Sequence, residues 1–495
     1  MAKGVSSLEL TLNERPPQIG LTRWLHEELR RAVLDGRLRP GARLPATRDF
    51  AEQYGVSRGT AVTVFEQLLS EGYLRSQVGA GTWINERLPQ NLFRSRQAPV
   101  PVWSRPARLT RLRFPHPARP FRAHEPALAE FPAEVWARVA SRRLRRVSSA
   151  LLAGGDVRGH APLCAAIAEY LGASRGVNCS PDQVVIVSGV QQALDLLARV
   201  LLKPGDPVWM EDPGYFGAVT AFDNVGARLI PVPVDEQGLS VSRGKQLCAR
   251  AKGVYLTPAH QFPLGVTMPL ERRLAVLEWA REARAFVIED DYDSEFRFEG
   301  RPVPSLQGLD KGGSVILLGT FNKLLFPSLR LGYAVLPPRL VDPFVAFRYG
   351  TDLHPAGLDQ ATLCDFIVEG HMGRHIRRMR ELYAARLAAL QAGARRYLGG
   401  LLDISPVQVG LYTAGFLRNG MASGEAETRA AAQGIESMAL DRFTLRRKDV
   451  HGLLLGFAAF DERQIRRGLE GLAAALDRRA APIAKRVSGL APQPR

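Results

Sequence analysis

Four short apolar runs constrain the fold of this chain more than any other feature. Each contains β-branched residues, and helical material separates one from the next; the runs are 184–187, 253–256, 285–288 and 314–318. Strands that are apolar on both faces are typical of a largely parallel sheet with helices on both sides. The pattern predicts an α/β domain over residues 125–478. In such sheets, ligands bind at the carboxyl ends of the strands.

Polar side chains follow these runs. Lys323 comes shortly after the last run with Thr320 and Arg330 on either side, and Asp290 and Tyr292 follow the run at 285–288. A partly desolvated lysine amine forms an imine readily, and a carboxylate on a pyridine nitrogen keeps the ring an electron sink. A threonine hydroxyl and an arginine can bind a phosphate. The sequence therefore predicts a pyridoxal 5'-phosphate site anchored on Lys323. A solvated acidic turn is the alternative for the aspartate alone.

Two further turns are weaker candidates for the same site. Ser188, Gly189 and Val190 lie between a strand run and a predicted helix, where backbone N–H groups can cup a phosphate. Tyr215 follows Pro213-Gly214 and is placed to stack on a flat ring. A plain tight turn and a core or surface tyrosine are the alternative interpretations.

Residues 18–84 are predicted to form a separate domain. Apolar residues recur at helical spacing from Leu21 to Val33, a short helix is expected over 46–54, and Ser57 suits the N-cap of the next helix. That helix is expected to bury a stripe of four residues: Val62, Phe65, Leu68 and Leu69. A hairpin around 79–81 completes the order of a winged helix-turn-helix, whose second helix enters a DNA major groove.

The start of that helix has the composition of a groove reader. An arginine can fork onto guanine while small residues leave room for the base edges, and Arg58 and Thr60 fit this description. Glycines in the wing let the backbone approach phosphate closely. The alternative interpretation is that Arg48 and Arg58 only form ion pairs with Asp49 and Glu52.

The positive charge of the chain lies mainly between the two domains. The net charge of +17 favours a polyanionic partner. Residues 85–122 contain 9 arginines and 7 prolines against a single acidic residue, Glu86. A semi-rigid linker is predicted over 85–124, either as a solvated spacer or in direct contact with phosphate. A basic, disordered tail is predicted over 479–495.

Several classes of protein are excluded by the sequence. No run approaches the 18 apolar residues of a membrane span, and the first residues lack the apolar core of a signal peptide. The four cysteines are scattered without a CxxC pair, so neither a metal site nor a disulfide framework is predicted. A cytoplasmic protein without a membrane partner is expected.

The chain resembles known families at eight short stretches. Residues 43–48 (RLPATR), 56–62 (VSRGTAV) and 79–84 (GAGTWI) resemble the GntR-type winged helix. Five stretches resemble fold type I aminotransferases, and the MocR family in particular: 188–192 (SGVQQ), 211–215 (EDPGY), 260–265 (HQFPLG), 289–296 (EDDYDSEF) and 319–323 (GTFNK). The resemblance implies a pyridoxal phosphate-dependent transcriptional regulator, usually a homodimer. Its large domain would have a mainly parallel sheet and a smaller C-terminal α+β part.

The same resemblance assigns roles by position. Lys323 would form the internal aldimine, Asp290 would meet the pyridine nitrogen, and Tyr292 the ring hydroxyl. Tyr215 would stack on the ring. The phosphate would be held by residues from three turns: Ser188, Gly189, Val190, Thr320 and Arg330. An operator with repeated half-sites would be contacted from the small domain by Arg48, Ser57, Arg58, Thr60 and Gly81.

Three positions depart from the aminotransferase pattern. Asn322 replaces a serine, Phe262 replaces the asparagine that orients the ring hydroxyl, and Leu454 replaces the arginine that binds a substrate carboxylate. A nearby loop offers three substitutes for that arginine: Arg442, Arg446 and Arg447. Otherwise the effector is not an α-amino acid, or it is pyridoxal phosphate itself.

Three functional hypotheses follow. The preferred one is a regulator that senses a small amine or amino-acid effector by aldimine exchange at Lys323, which changes how two winged helices span their half-sites. The alternative is a turnover aminotransferase with an appended DNA-binding domain, against which Leu454 argues. The third is a DNA-binding protein whose large domain has lost its cofactor.

Overall fold

The computed structural model describes residues 10–77, 79–86, 118–300 and 303–477. Their contacts divide the chain into two compact units, one within residues 1–113 and one within 114–495. We refer to them as the small unit and the large unit. Most of the predicted linker, at 87–117, and the predicted tail at 479–495 lie outside the described residues.

The small unit has the element order of a winged helix-turn-helix, as predicted. Its described helices are α1 (Leu21–Leu34), α2 (Thr47–Gln53) and α3 (Arg58–Ser70), and its strands are β1 (Arg43–Leu44), β2 (Leu74–Gln77) and β3 (Gly81–Ile84). β3 pairs with both other strands in an antiparallel sheet. The hydroxyl of Ser57 caps α3 by accepting a hydrogen bond from the N–H of Thr60 at 3.0 Å.

The buried face of α3 differs from the prediction. It consists of Ala61, Val64, Phe65 and Leu68, whereas Val62 and Leu69 are only half-buried. α1 and α2 both pack against α3, and the small side chain of Ala61 is fully buried in this core. A search for large apolar residues alone does not detect an alanine in such a contact.

The large unit is built on a sheet in the order β4-β11-β10-β9-β8-β5-β6-β7. The strands are β4 (Val184–Val187), β5 (Pro207–Asp212), β6 (Arg228–Asp235), β7 (Gly238–Leu239), β8 (Gly253–Leu256), β9 (Phe286–Asp291), β10 (Val315–Thr320) and β11 (Gly332–Val335). Every pairing from β10 through β9, β8 and β5 to β6 is parallel, whereas β11 runs antiparallel to both neighbours. The carboxyl ends of β4, β9 and β10 therefore face the same edge.

Helices cover both faces of this sheet, which confirms the predicted α/β architecture. Alternate residues of one strand belong to different cores: Ile316 and Leu318 pack in one cluster, while Leu317 packs in another. The described helices are α4 (Ala133–Arg145), α5 (Ser149–Leu152), α6 (Ala161–Arg175), α7 (Val190–Leu201), α8 (Phe216–Asn224), α9 (Val241–Cys248), α10 (Leu270–Ala283), α11 (Leu306–Leu309), α12 (Pro338–Tyr349), α13 (Gly357–Val368), α14 (His371–Tyr397), α15 (Ser423–Ala432) and α16 (Glu462–Leu476).

A second, antiparallel sheet forms the smaller C-terminal α+β part that was predicted. Its order is β12-β13-β15-β14, with β12 (Leu402–Ile404), β13 (Tyr412–Leu417), β14 (Met438–Ala439) and β15 (Gly452–Gly456). α14 and α15 pack with strands of this sheet, and α16 packs against both of these helices. The residues that follow β13 and precede β15 bring the C-terminal part towards the strand ends of the main sheet.

Residues 118–124, the lead segment, belong to the large unit although the predicted linker extended to 124. Phe121 is fully buried and pairs with Gly456 at the end of β15. Arg122 forms ion pairs with Glu125 at 3.0 Å and with Glu436 at 2.7 Å. The predicted linker extended to 124 because arginines and prolines are typical of a spacer. In the structure, residues 118–124 are instead fixed to the large unit by the burial of Phe121 and the ion pairs of Arg122.

Candidate functional site

Lys323 lies in the turn after β10, beside the end of β9. Its Nζ donates a hydrogen bond to the carbonyl oxygen of His124 at 2.7 Å. Burial lowers the pKa of Lys323 to about 8. An amine in this state is partly neutral near physiological pH, which is what a lysine needs in order to act as a nucleophile.

Asp290 is buried at the end of β9, where it pairs in register with Leu318 of β10. Its Oδ2 accepts a hydrogen bond from the hydroxyl of Tyr255 at 2.7 Å, and burial raises its pKa to about 7. Its Oδ1 is buried without a hydrogen-bond partner among the described residues. Because an unpartnered buried acceptor is costly, this oxygen fits a ligand that brings an N–H group, as a protonated pyridine ring does.

The turn between β4 and α7 lies against a fixed positive charge. Gly189 has a φ of 125° directly before α7 begins at Val190, and a Cβ built on it would lie 3.3 Å from Nη2 of Arg330. The first N–H groups of a helix have no partner within the helix, and its N-terminus favours an anion. The helix start and the guanidinium together therefore fit a phosphate.

Two other predicted phosphate ligands have partners within the protein. The N–H of Ser188 donates to Oε1 of Gln192 at 2.7 Å, and the hydroxyl of Thr320 accepts from the N–H of Asn322 at 3.1 Å. Both bonds leave the Ser188 and Thr320 hydroxyl hydrogens free to donate. The structure thus places all five predicted phosphate-binding residues at the same edge of the sheet, after β4, at the end of β10 and before β11.

The two predicted ring tyrosines lie in an aromatic cluster. The Tyr292 hydroxyl donates to the carbonyl oxygen of His260 at 2.7 Å and also contacts the hydroxyl of Tyr412. Tyr215 is half-buried at the start of α8, with its ring edge-on to Phe262 at 5.9 Å. Phe262 stands where an asparagine was expected, and it fills this place with an apolar ring.

His124 is a site residue that the sequence analysis missed. It has a φ of 65° although it is not a glycine, and its ring packs on Phe262 at 5.1 Å and on Tyr412 at 5.0 Å. Burial, with Lys323 nearby, lowers its pKa well below the usual range, so the imidazole is neutral. Backbone held in this sparsely populated region is often found at ligand sites. No periodicity marks it, because it is the last residue of the stretch that was interpreted as linker.

The position expected to carry a carboxylate-binding arginine is closed. Leu454 is fully buried in β15, opposite Ala414 of β13. Of the three substitutes, Arg442 pairs with Glu427 at 2.8 Å and Arg447 pairs with Asp449 at 2.6 Å. Arg446 has an exposed side chain without an ion pair to any described residue, and its backbone N–H donates to Asp212 at 2.9 Å.

Asp212 holds the loop that carries these arginines. It is buried at the end of β5, and its carboxylate accepts hydrogen bonds from three consecutive N–H groups at 2.8, 2.9 and 3.1 Å, those of Leu445, Arg446 and Arg447. The N–H of Gly214 also donates to the carbonyl oxygen of Phe443 at 2.9 Å. The loop is therefore fixed beside Tyr215, and this anchor was not predicted either.

The predicted DNA-binding residues lie at the start of α2, at the start of α3 and on the wing. Arg48 and Arg58 are exposed, and neither forms an ion pair with Asp49 or Glu52 within the described part of the small unit. Ser57 and Thr60 share a hydroxyl–hydroxyl hydrogen bond of 2.8 Å. The alternative of simple local ion pairs is therefore not what the structure shows.

The wing contains two basic residues, Arg43 and Arg75, that the sequence analysis did not single out. Arg43 donates from Nη2 to the carbonyl oxygen of Ala80 at 2.7 Å, and a Cβ on Gly81 would lie 2.9 Å from its Nε. The guanidinium groups of Arg43 and Arg75 lie 5.7 and 5.9 Å from the centre of the Trp83 ring. These contacts place two cations on the wing.

Comparison with known proteins identifies both units. Residues 21–84 match the gntR family of bacterial regulatory proteins, and residues 126–390 match aminotransferase class I and II. A probable rhizopine catabolism regulatory protein, MocR of Rhizobium meliloti, is 41% identical over 93% of this chain and 95% of its own length. The chain belongs to the MocR family. The pyridoxine biosynthesis transcriptional regulator PdxR of Corynebacterium glutamicum is 31% identical over 93% of this chain and 97% of its own.

A solved structure extends the comparison to the large unit of this MocR-family chain. LysN, an α-aminoadipate aminotransferase of Thermus thermophilus complexed with N-(5'-phosphopyridoxyl)-L-leucine, superposes with a TM-score of 0.67 and 31% identity. The match covers 72% of this chain and 91% of LysN. The resemblance seen in the sequence is thus confirmed: a GntR-type DNA-binding domain is joined to an aminotransferase fold, in a family whose members are named as transcriptional regulators. Within the described residues, no helix combines the length and apolar character of a membrane span.

Proposed function

We propose that this chain is a pyridoxal 5'-phosphate-dependent transcriptional regulator that senses a small amine or amino-acid effector at Lys323. The observation that supports it is the buried Lys323 with a lowered pKa beside the strand that carries Asp290, whose Oδ1 has no hydrogen-bond partner among the described residues. Both lie in a chain that also carries a GntR-type domain. An enzyme alone has no need of the second unit.

Different residues of the site would bind different parts of such a cofactor. Asp290 would accept a hydrogen bond from the pyridine N–H, and Arg330 with the start of α7 would hold the phosphate. Tyr215 would lie against the ring and Tyr292 near its hydroxyl. When bound, the cofactor supplies an aldehyde carbon that can be held by the lysine amine or by the amine of an effector. When the effector holds the cofactor, the free side-chain amine of Lys323 can donate a hydrogen bond to the carbonyl oxygen of His124, as it does here.

The effector is constrained by what replaces the missing arginine. Leu454 cannot bind a carboxylate, and Arg442 and Arg447 are already paired with acidic residues. We propose that Arg446, on the loop anchored by Asp212, is the side chain available to an effector carboxylate. An effector amine without a carboxylate would need no such partner. The neutral imidazole of His124 and the hydroxyl groups of Tyr215 and Tyr292 would bind its polar groups instead.

The DNA partner is proposed to be an operator with repeated half-sites. Arg48, Arg58 and Thr60 are on the exposed start of the reading helix or beside it, and Gly81 lies in the wing. We also propose a homodimer, since a two-fold symmetric protein matches two half-sites. In this proposal, the effector must bind one arrangement of the dimer better than the other.

A turnover aminotransferase is the second candidate. It is favoured by the intact Lys323 and Asp290, because a lysine with a pKa of about 8 can take up and return a proton. Purified protein incubated with an amino donor and a 2-oxo acid separates the two functions. Product that accumulates over many turnovers indicates an enzyme, whereas a single stoichiometric change in absorbance indicates a sensor.

The main test uses full-length protein reconstituted with pyridoxal phosphate and its own promoter DNA. Candidate amines are titrated while visible absorbance and DNA binding by fluorescence anisotropy are followed together. Lys323→Ala should lose both the visible band and the effector response but keep basal DNA binding. Lys311→Ala, an exposed lysine, is the matched control and should behave as the wild type. An unchanged visible spectrum in Lys323→Ala would show that the site is wrongly assigned.

A further inference from the structure

A second polar pocket lies in the large unit, away from the turns that form the proposed cofactor site. It has a volume of about 170 Å³. The end of α6, the chain after β9 and α14 line it with polar side chains, chiefly Tyr170, Arg175, Ser294, Glu295, Arg297 and Arg380. Side chains alternate along a strand, so Asp291, which binds Arg175, faces away from the side that Asp290 presents to the cofactor site.

Arg297 is a half-buried cation without a counter-ion among the described residues. Within that part of the chain its guanidinium makes only long hydrogen bonds to neutral oxygens: the carbonyl oxygen of Glu299 at 3.3 Å, Gln408 at 3.5 Å and Thr267 at 3.4 Å. No carboxylate of the described residues lies within ion-pair distance of it. Burial lowers the pKa of Arg297, and the positive charge of Arg175 lowers it further. A guanidinium in such surroundings favours a bound anion.

Ser294 gives an independent indication that a ligand belongs here. Its side chain lines the pocket and the residue is 6% exposed. Its hydroxyl has no hydrogen-bond partner within the described residues. Buried hydroxyl groups are rarely left without a partner, so an acceptor placed in the pocket would satisfy it.

The only carboxyl group that lines the described pocket does not cancel its positive charge. Glu295 accepts a hydrogen bond from the hydroxyl of Tyr170 at 3.3 Å, and burial raises its pKa to about 7. Arg380 donates from Nε to the backbone carbonyl of Glu295 and forms no ion pair within the described chain. Arg175 is already paired with Asp291 at 2.8 Å. The guanidinium groups of Arg297 and Arg380 therefore share one carboxyl group in the pocket, and it is partly protonated near neutral pH.

We propose that this pocket is a binding site for a small oxyanion, a carboxylate or a phosphate group, held by Arg297, Arg380 and the hydroxyl of Ser294. It is separate from the phosphate site at Gly189 and Arg330. Arg175 connects the two sites, because it lines this pocket and pairs at 2.8 Å with Asp291, the neighbour of Asp290. An occupant that draws on Arg175 would change the charge felt at Asp290.

The proposal is tested by calorimetric titration of full-length protein with inorganic phosphate, and separately with acetate, at constant ionic strength set by chloride. Protein that carries Arg330→Gln and no cofactor, the parent protein of this test, should bind one equivalent of phosphate or acetate, and the anion that binds assigns the ligand class. Arg297→Gln should weaken binding by about 10-fold or more and Ser294→Ala by about 3-fold, whereas Arg297→Lys should retain part of the affinity. Arg377→Gln, on the same helix as Arg380 but outside the pocket lining, should leave binding unchanged.

The outcome of this test does not depend on the proposed cofactor. All titrations use protein without cofactor in which Arg330→Gln removes the other proposed phosphate site, so the result is the same whether or not Lys323 binds pyridoxal phosphate. Should Arg297→Gln not fold, Arg380→Gln changes an exposed side chain of the same pocket. The proposal is overturned if the Arg297 or Arg380 variant binds the anion as tightly as the parent protein does. It is also overturned if Arg377→Gln loses as much affinity, which would indicate an adventitious ion only, or if the parent protein does not bind either anion.

Discussion

Asp290 is a carboxyl group held in a buried position at the end of β9. Burial raises its pKa to about 7, and the hydrogen bond from Tyr255 offsets this only in part. In an unfolded chain an aspartate has a pKa of about 4. Between about pH 4 and pH 7 the folded protein therefore holds a proton that the unfolded chain has lost, and the free energy of unfolding falls as the pH rises through this window.

We therefore expect Asp290→Asn to stabilise the protein without cofactor at pH 8. The amide is neutral at every pH and can still accept the hydrogen bond from Tyr255. The free energy of unfolding in urea should rise by about 1–3 kcal/mol at pH 8 and by much less at pH 4.5, while affinity for pyridoxal phosphate falls. Asp49→Asn, which changes an exposed carboxyl group, should show neither effect. A variant less stable than the wild type at pH 8 would contradict the assigned protonation.

Gly189 is the second residue whose local geometry makes a sharp prediction. Its φ of 125° is unfavourable for any residue with a Cβ, and that Cβ would crowd Arg330. Gly189→Ala should lower affinity for pyridoxal phosphate by about 10-fold or more and cost about 1–3 kcal/mol of stability. Gly424→Ala is the control, since it lies in α15 with open space around it and should be neutral or slightly stabilising. Equal cofactor affinity in both variants would argue against the phosphate site.

Site residues could be predicted where a local sequence pattern marks them, and could not be predicted where their role depends on a contact with a distant part of the chain. Lys323 and Asp290 could be predicted because each follows an apolar run directly. Tyr255 and His124 could not, because their importance comes from hydrogen bonds to residues 35 and 199 positions away. Nothing in the sequence around either residue indicates such a partner.

Among the elements, the buried strands were predicted closely and the irregular segments were not. β4 and β8 begin and end where the apolar runs do, whereas β9 extends to Asp291 and β10 to Thr320. Pairing between these two strands continues past the apolar residues, and hydropathy does not report pairing. The lead segment was assigned to the linker because its composition resembles spacer, although Phe121 is buried.

The loop at 444–447 has three of its backbone N–H groups bound by one side chain. The Asp212 carboxylate accepts three of its backbone N–H groups. Asp212→Ala should free the loop, cost about 1–3 kcal/mol of stability and weaken the response to carboxylate-bearing effectors more than to simple amines. Hydrogen exchange at these three amides measures the release directly. Asp441→Ala, which changes an exposed residue of the preceding turn, should leave all three amides protected.

For the whole molecule, the distribution of charge bears on how DNA is bound. Residues 1–84 hold 11 basic and 9 acidic residues, whereas residues 85–122 hold 9 arginines against one acidic residue. The small unit alone therefore supplies little general attraction for a polyanion. The two interpretations of the linker, a solvated spacer and a phosphate contact, differ in what they predict for the salt dependence of binding.

We expect the linker arginines to contact phosphate. Changing Arg94, Arg96, Arg105 and Arg108 to glutamine should make the plot of log Kobs against log salt concentration less steep by about 3–4, because each phosphate contact contributes about 0.9. The loss should be the same on promoter and on unrelated DNA, since phosphate contacts carry no sequence information. The control changes four exposed arginines of the large unit: Arg395, Arg396, Arg463 and Arg466. If the linker variant and the control variant both give the wild-type slope, the linker is a spacer. The contacts of the small unit must then account for the affinity for DNA without the linker arginines.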